Sequence, residues 1–279
     1  MHIDAHQHFW RYDPAEYGWI DDSMSVLRRD FLPAHAKHEM DVAGFDGCVA
    51  VQARQTVEET RWLLSLADRH PFVVGVVGWA DLQSPTVEAE LAELARHPML
   101  VGIRHIVQSE PDGFLSQRAF RNGLAHLERF GLAYDILIYP RHLPDAIRLV
   151  ADFPAVRFVL DHLAKPEVRR GAIDDWARDL KRLASYTNVC AKLSGLVTEA
   201  EWRAWTADQL RPYLDAAFAC FGADRLMIGS DWPVCTLAAD YSRTMRLVLD
   251  FVERLSNAER QAVLGGTAQR FWNLQTRES

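Results

Sequence analysis

The four cysteines, Cys48, Cys190, Cys220 and Cys235, include no Cys-x-x-Cys pair, which removes the spacing of zinc ribbons and thioredoxin-like redox sites. Cys48, Cys190 and Cys220 sit in apolar stretches and read as small buried hydrophobes, in keeping with a reducing compartment. Cys235 falls just past a carboxylate-tipped strand. No apolar run is long enough to span a bilayer, and no signal peptide precedes Ile3. No basic run marks a nucleic-acid surface, and no polybasic segment marks an anionic membrane. The expectation is a cytoplasmic protein whose partners include neither nucleic acid nor membrane. Gly-x-Ser-x-Gly, Walker A and Gly-x-Gly-x-x-Gly signatures are missing. So are linkers, low-complexity stretches and short repeats, and residues 1–279 are expected to form one domain.

What the chain does contain is apolar material, 49% of its residues, under a net charge of −7 with acids and bases interleaved. A sizeable core can form. Apolar strand-like runs alternate with helical ones. The strands read as residues 3–9, 47–52, 72–79, 100–105, 133–139, 156–162, 189–194 and 226–230. The helices read as residues 32–43, 57–69, 87–96, 117–130, 143–152, 176–186, 208–221 and 240–255. A last helix, 257–271, closes the chain. Runs this continuous suit strands buried on both faces. Eight strand–helix units at this length predict an α/β fold, the (β/α)8 TIM barrel, over an open sheet.

In such a barrel the chemistry sits at the carboxyl ends of the strands. The polar residues fall there: His6, His8, Gln52, Trp79, Arg104, His105, Tyr139, His162, Lys192, Ser194 and Asp231. His6 and His8 stand two apart on a strand and so face one way. Their spacing of roughly 6–7 Å between Cα atoms lets two imidazoles grip one divalent cation or contact one substrate oxygen. Asp231 ends the last strand, where it can ligate a metal or take a proton from water; the plainer role is a helix N-cap. His162 reads as a third nitrogen ligand, as a group polarising a carbonyl, or as a histidine tied to backbone. Its neighbour Asp161 should point the other way if the strand continues, which makes it structural. Arg104 and Lys192 end apolar strands, so each needs a carboxylate partner or an oxygen-rich substrate. Trp10, Tyr12, Trp19, Trp79 and Trp232 could build an aromatic wall, with ordinary packing favoured for Trp19.

The motifs Ile3-Asp4-Ala5-His6-Gln7-His8-Phe9-Trp10, Gly102-Ile103-Arg104-His105, Leu160-Asp161-His162-Leu163-Ala164-Lys165-Pro166, Lys192-Leu193-Ser194-Gly195 and Gly229-Ser230-Asp231-Trp232-Pro233 run in order across almost the whole chain. Together they resemble the amidohydrolase superfamily, in the amidohydrolase-2 branch that holds sugar lactonases of the L-fuconolactonase and L-rhamnonolactonase type. The resemblance implies hydrolysis of a small-molecule aldonolactone to its aldonic acid in carbohydrate breakdown, with L-fuconolactone as the first choice. It maps metal ligands onto His6, His8 and Asp231, and catalytic roles onto Asp231, His162 and Arg104. Gln52, Trp79, His105, Tyr139, Lys192, Trp10 and Trp232 are the expected substrate contacts. The stretch Ile136–Pro140 carries no histidine where many metal-dependent members have one. One divalent metal at most is therefore expected, zinc before others, and catalysis without it is open in this group. The rival activities are a dicarboxylate lactonase, a decarboxylase of the same branch, and a barrel that binds without turnover.

Overall fold

Every one of the eight apolar runs forms a strand whose residues are buried along its whole length. The computed structural model describes residues 1–275. The strands are β1 (Ile3–Gln7), β2 (Gly47–Val51), β3 (Val73–Gly78), β4 (Leu100–His105), β5 (Ala133–Ile136), β6 (Phe158–Leu160), β7 (Val189–Leu193) and β8 (Leu226–Ile228). They pair in parallel, in chain order, as one sheet. The helices between them are α1 (Pro33–Ala43), α2 (Val57–Arg69), α3 (Val87–Leu94), α4 (Arg118–Leu124), α5 (His126–Arg129), α6 (Leu143–Asp152), α7 (Asp174–Ala184), α8 (Leu196–Glu199), α9 (Ala207–Phe221), α10 (Tyr241–Val252), α11 (Asn257–Gln261) and α12 (Thr267–Trp272). Among the described residues no helix is long and apolar enough to cross a membrane.

The sheet curls until β8 meets β1, and backbone bonds join them at their carboxyl ends. Asp231 N donates to His6 O at 2.8 Å, and His8 N donates to Trp232 O at 2.7 Å. Asp4 strengthens this seam. Its carboxylate accepts from Ser230 N at 2.8 Å, Ser230 Oγ at 2.6 Å and Tyr241 Oη of α10 at 3.1 Å. The closure therefore places His6, His8 and Asp231 side by side through the backbone itself.

Alternation along the strands sorts the barrel interior into layers. The lowest is apolar: Ile3, Val49, Val101, Ala133, Val159, Cys190 and Met227 meet Ala268, Phe271 and Trp272 of α12, which plugs the amino-terminal end. Outward residues such as Cys48, Ala50, Ile103, Phe158 and Ile228 join the larger core beneath the helices. In α6, Leu143, Ala146, Ile147 and Val150 recur at helical spacing on its buried face. Each such large aliphatic side chain is worth about 1.5–3 kcal/mol when fully buried.

Three elements depart from expectation. The helix over 117–130 breaks into α4 and α5. The closing helix is interrupted at Ala262–Gly266 by a wider turn. There a Cβ on Gly265 would lie 2.2 Å from Met1 O, so only glycine lets the chain pass the start of β1. β6 stops at Leu160, short of His162, with consequences for the site.

Candidate active site

Two residues above the apolar layer, the inward positions become charged. Asp135 follows Ala133, Asp161 follows Val159, and Lys192 follows Cys190 at the strand period of two. Lys192, wholly buried, pairs through Nζ with Asp135 Oδ2 at 2.5 Å and Asp161 Oδ1 at 2.9 Å, and lies 3.1 Å from His6 Nδ1. Arg104 donates to Asp161 Oδ2 at 3.0 Å, to Gln52 Oε1 at 3.1 Å and to the Gln52 carbonyl. Burial pushes Asp135 up to about 7, against the pull of Lys192. Burial acts on Asp161 as well, but Lys192, His6 and Arg104 together hold it well below the usual carboxylate range. The layer pairs two carboxylates with two cations, where an unpaired charge would cost several kcal/mol, and among the described residues leaves Arg104 Nε, Asp135 Oδ1 and Asp161 Oδ1 without a hydrogen-bond partner.

The mouth lies above it. β1 carries an irregularity between Asp4 and Gln7. This bulge lets Ala5 and His6 both face inward while Gln7 turns out to Met40 of α1, its Nε2 donating to Sδ. A bulge re-aims side chains in this way. His6 and His8 still share a face, with Nε2 atoms 3.2 Å apart. Asp231 Oδ1 stands 3.7 Å from His6 Nε2, 3.3 Å from His8 Nε2 and 3.8 Å from His162 Nε2. Burial would raise the Asp231 carboxyl, but His162, a hydrogen bond to His8, and His6 bring it far below the usual range, so it is ionised at neutral pH. Burial lowers His162 to about 4 despite Asp231, and lowers His6 well below its ordinary value. Both imidazoles are neutral at pH 7.

The donor set suits a divalent cation. Tetrahedral ligands about 2.0–2.1 Å from zinc stand about 3.4 Å apart, close to the separations of His6, His8 and Asp231. His8 Nδ1 meets the Val51 carbonyl at 2.8 Å, which leaves Nε2 free to ligate. His6, Asp161 and His162 form a second group of three with ligand atoms close together. Arg104 Nη1 lies 3.3 Å from His6 Nε2, so a cation and the guanidinium compete for that lone pair.

Asp161 corrects the sequence reading. With β6 ended, residues His162 to Lys165 all take φ between +52° and +61°, and this left-handed turn brings His162 round to the centre that Asp161 already faces. The turn is tied by Lys165 N to His162 O at 2.8 Å and by Trp176 Nε1 to Leu163 O at 2.7 Å. Gly195, at φ +66°, closes against it: a Cβ there would sit 2.6 Å from His162 Nδ1.

A cavity of about 170 Å³ opens over these groups. Its lining includes His8, Arg104, His162, Lys165 and Asp231, with Trp10, Trp19, Ile106, Leu137 and Val234 as apolar walls and Gln108 and Ser109 at one side. Trp10 and the exposed Trp19 meet edge-to-face, with centroids 6.0 Å apart. Trp19 thus lines the mouth, contrary to the packing role expected of it. Trp232 packs against Phe9 and Phe31, and Gln52 and Lys192 lie beneath the mouth behind Arg104 and His6. Trp79 donates to His105 Nδ1 at 3.2 Å, and His105 stacks on Phe114 and meets Glu110 at 2.8 Å, to one side of the lining. Tyr139 lines a neighbouring cavity with Lys165 and Glu199. Asp135, Lys165 and Glu199 were not singled out by sequence. The strand period would have found Asp135, whereas Lys165 reaches the site through the left-handed turn and Glu199 stands beside it at the end of α8, placements that no strand period encodes.

A parallel eight-stranded barrel with imidazoles and a carboxylate at the carboxyl ends of its strands defines a barrel enzyme with a metal-competent centre. The chain belongs to the amidohydrolase family, whose model matches residues 3–274. It is 44% identical to an L-fucono-1,5-lactonase of Burkholderia multivorans, over 98% of this chain and 96% of that protein. It is 37% identical to an L-fucono-1,5-lactonase of Burkholderia ambifaria, over 98% and 95%. A crystal structure of an amidohydrolase from Burkholderia multivorans with bound zinc superposes with a TM-score of 0.95 at 44% identity, covering 99% of this chain and all of that one.

Proposed function

We propose that this protein hydrolyses a sugar-derived aldonolactone, with L-fucono-1,5-lactone as the first candidate, to the aldonic acid. The observation that carries the reading is Asp231, held ionised on the floor of a cavity among His6, His8 and His162, in a chain 44% identical to an L-fucono-1,5-lactonase over nearly its full length. The cavity is of a size for one sugar ring, and its tryptophan wall suits the C–H face of such a ring.

In this reading Asp231 takes a proton from water as the water oxygen attacks the lactone carbonyl. Asp231 then returns that proton to the ring oxygen as the C–O bond breaks. A carboxylate held so far below its usual range is a weak base, so the carbonyl must be polarised at the same time. His162 supplies this when its Nδ1 accepts from Ser194 Oγ, 2.9 Å away, because Nε2 then carries a proton to donate. The hydroxyl can also accept from Nδ1–H, which turns the Nε2 lone pair toward a ligand. Arg104 adds positive potential for the developing oxyanion. A zinc ion held by His6, His8 and Asp231 would supply Lewis acidity toward the carbonyl and acidify water at the site.

The dicarboxylate reading finds less support. Arg104 is engaged by Asp161 and Gln52, and Arg141 lies 3.4 Å from Asp112 and over the Tyr139 ring, so among the described residues no free pair of arginines faces the cavity. Proton release from a panel of aldono-1,4- and 1,5-lactones, with and without chelator, tests the function. Rapid turnover of L-fuconolactone or its stereochemical neighbours is expected. Silence across the panel, with carbon dioxide released from an acid substrate, contradicts it.

A further inference from the structure

The left-handed turn after β6 delivers two side chains to the cavity, three residues apart. His162 is one and Lys165 is the other. We propose that Lys165 is the cation that holds the anionic oxygen produced when the lactone opens, first as the oxyanion develops and then as the product carboxylate. This inference rests on the lactonase reading of the same site.

Among the described residues, the two permanent cations lining the cavity differ in availability. Arg104 directs both terminal nitrogens to Asp161 and Gln52 and is 3% exposed. Lys165 has a longer and weaker engagement: its Nζ is 3.8 Å from Glu199 Oε1, beyond a normal hydrogen bond, and 5.8 Å from the centre of the Tyr139 ring. Its side chain is mostly shielded from water, so its charge acts at short range with little screening. Glu199 is itself buried enough for its carboxyl to be pushed up, with Lys165 opposing that rise. Lys165 thus stands in the wall between the reaction cavity and a second cavity of about 300 Å³ lined by Tyr139, Arg141 and Glu199.

The chemistry needs a group of this kind. Lactone plus water gives aldonate plus one proton: a bond forms from water oxygen to carbonyl carbon, the carbonyl–ring oxygen bond breaks, and the ring oxygen leaves as a hydroxyl. The substrate is neutral, whereas the oxyanion and the product are not. An ammonium at the mouth discriminates between these states, so its removal should act on turnover and product affinity more than on substrate binding. Four non-glycine residues in the left-handed region are a costly way to build a turn, and what the turn gains is the joint placement of His162 and Lys165.

The test uses calorimetric binding of sodium L-fuconate to the full chain and to K165M, K165Q and K165R, beside steady-state kinetics on the lactone panel. K165M and K165Q should weaken L-fuconate at least tenfold and lower kcat at least tenfold, with KM shifting less than threefold. K165R should recover most of both. L-fuconate affinity in folded K165M within twofold of the parent overturns the proposal, as does failure of the parent to bind L-fuconate at all. Normal L-fuconate binding by a parent that turns over no lactone, weakened at least tenfold in K165M, contradicts the lactonase reading while the role of Lys165 in holding a carboxylate stands.

Discussion

Asp231 is asked to do the most of any single side chain. It lies in the left-handed region at φ +57°, a conformation Asp tolerates better than most residues, and it faces three imidazoles. Asp231→Asn keeps the shape and removes the proton acceptor. We expect turnover to fall about 10³-fold, in the range of a lost general base, with cooperative melting retained; near-parental rates in this variant would exclude the assigned role. Glu59 offers a separate residue-scale prediction. Its carboxylate accepts from Ala53 N at 3.0 Å and Arg54 N at 2.7 Å, and burial pushes it up to about 7 from 4.5. The folded state therefore holds this proton more tightly than the unfolded chain does. The associated stability is complete below about pH 4.5 and is lost as the pH rises through about 7. Glu59→Gln keeps the two accepted bonds and removes the titration, so its melting temperature should gain on the parent between pH 5 and pH 8. Parallel curves over that range would show that Glu59 does not titrate there.

At the scale of elements, the turn of residues 162–165 decides what the sequence could reveal. The apolar run 156–160 and the polar pair after it were legible, and so was the convergence of His6 and His8. Asp161 continues the inward alternation from Val159, and it was misplaced because the alternation was counted from His162, which reaches the same centre only because the chain leaves the strand at Leu160. The same departure explains Lys165. By contrast, Asp135 and Lys192 obey the period of two, and their inward aim follows from Ala133 and Cys190 two residues earlier. Gly195 supports the turn by proximity. A Gly195→Ala side chain would fall 2.6 Å from His162 Nδ1 at a backbone φ of +66°. We expect it to displace the imidazole from Ser194, to destabilise by about 1–3 kcal/mol, and to cut turnover at least tenfold. Unchanged melting and kinetics would mean that the turn is not held as described.

For the whole molecule, the order of eight strand–helix units was readable because each unit is a local pattern. Closure followed from the count of eight units, but the contacts that make it were not readable: Asp4 reaching Ser230 and Tyr241, and Trp272 entering the barrel from below, join the two ends of the chain. The barrel sorts its interior from an apolar plug, through a neutralised charge layer, to a mouth whose donors can take a cation. Added zinc should therefore raise the melting temperature by a few degrees, as expected for a ligand at about 100 times its Kd. Chelator should reverse the shift, and His8→Gln should abolish it. An equal shift in that variant would place the ion elsewhere.

The most direct measurement is hydrolysis of L-fucono-1,5-lactone followed by NMR, comparing parent protein, Asp231→Asn and no protein under one buffer. Rapid conversion to L-fuconate by the parent and a rate near background for the variant are expected. Parent conversion no faster than buffer would contradict the lactonase reading.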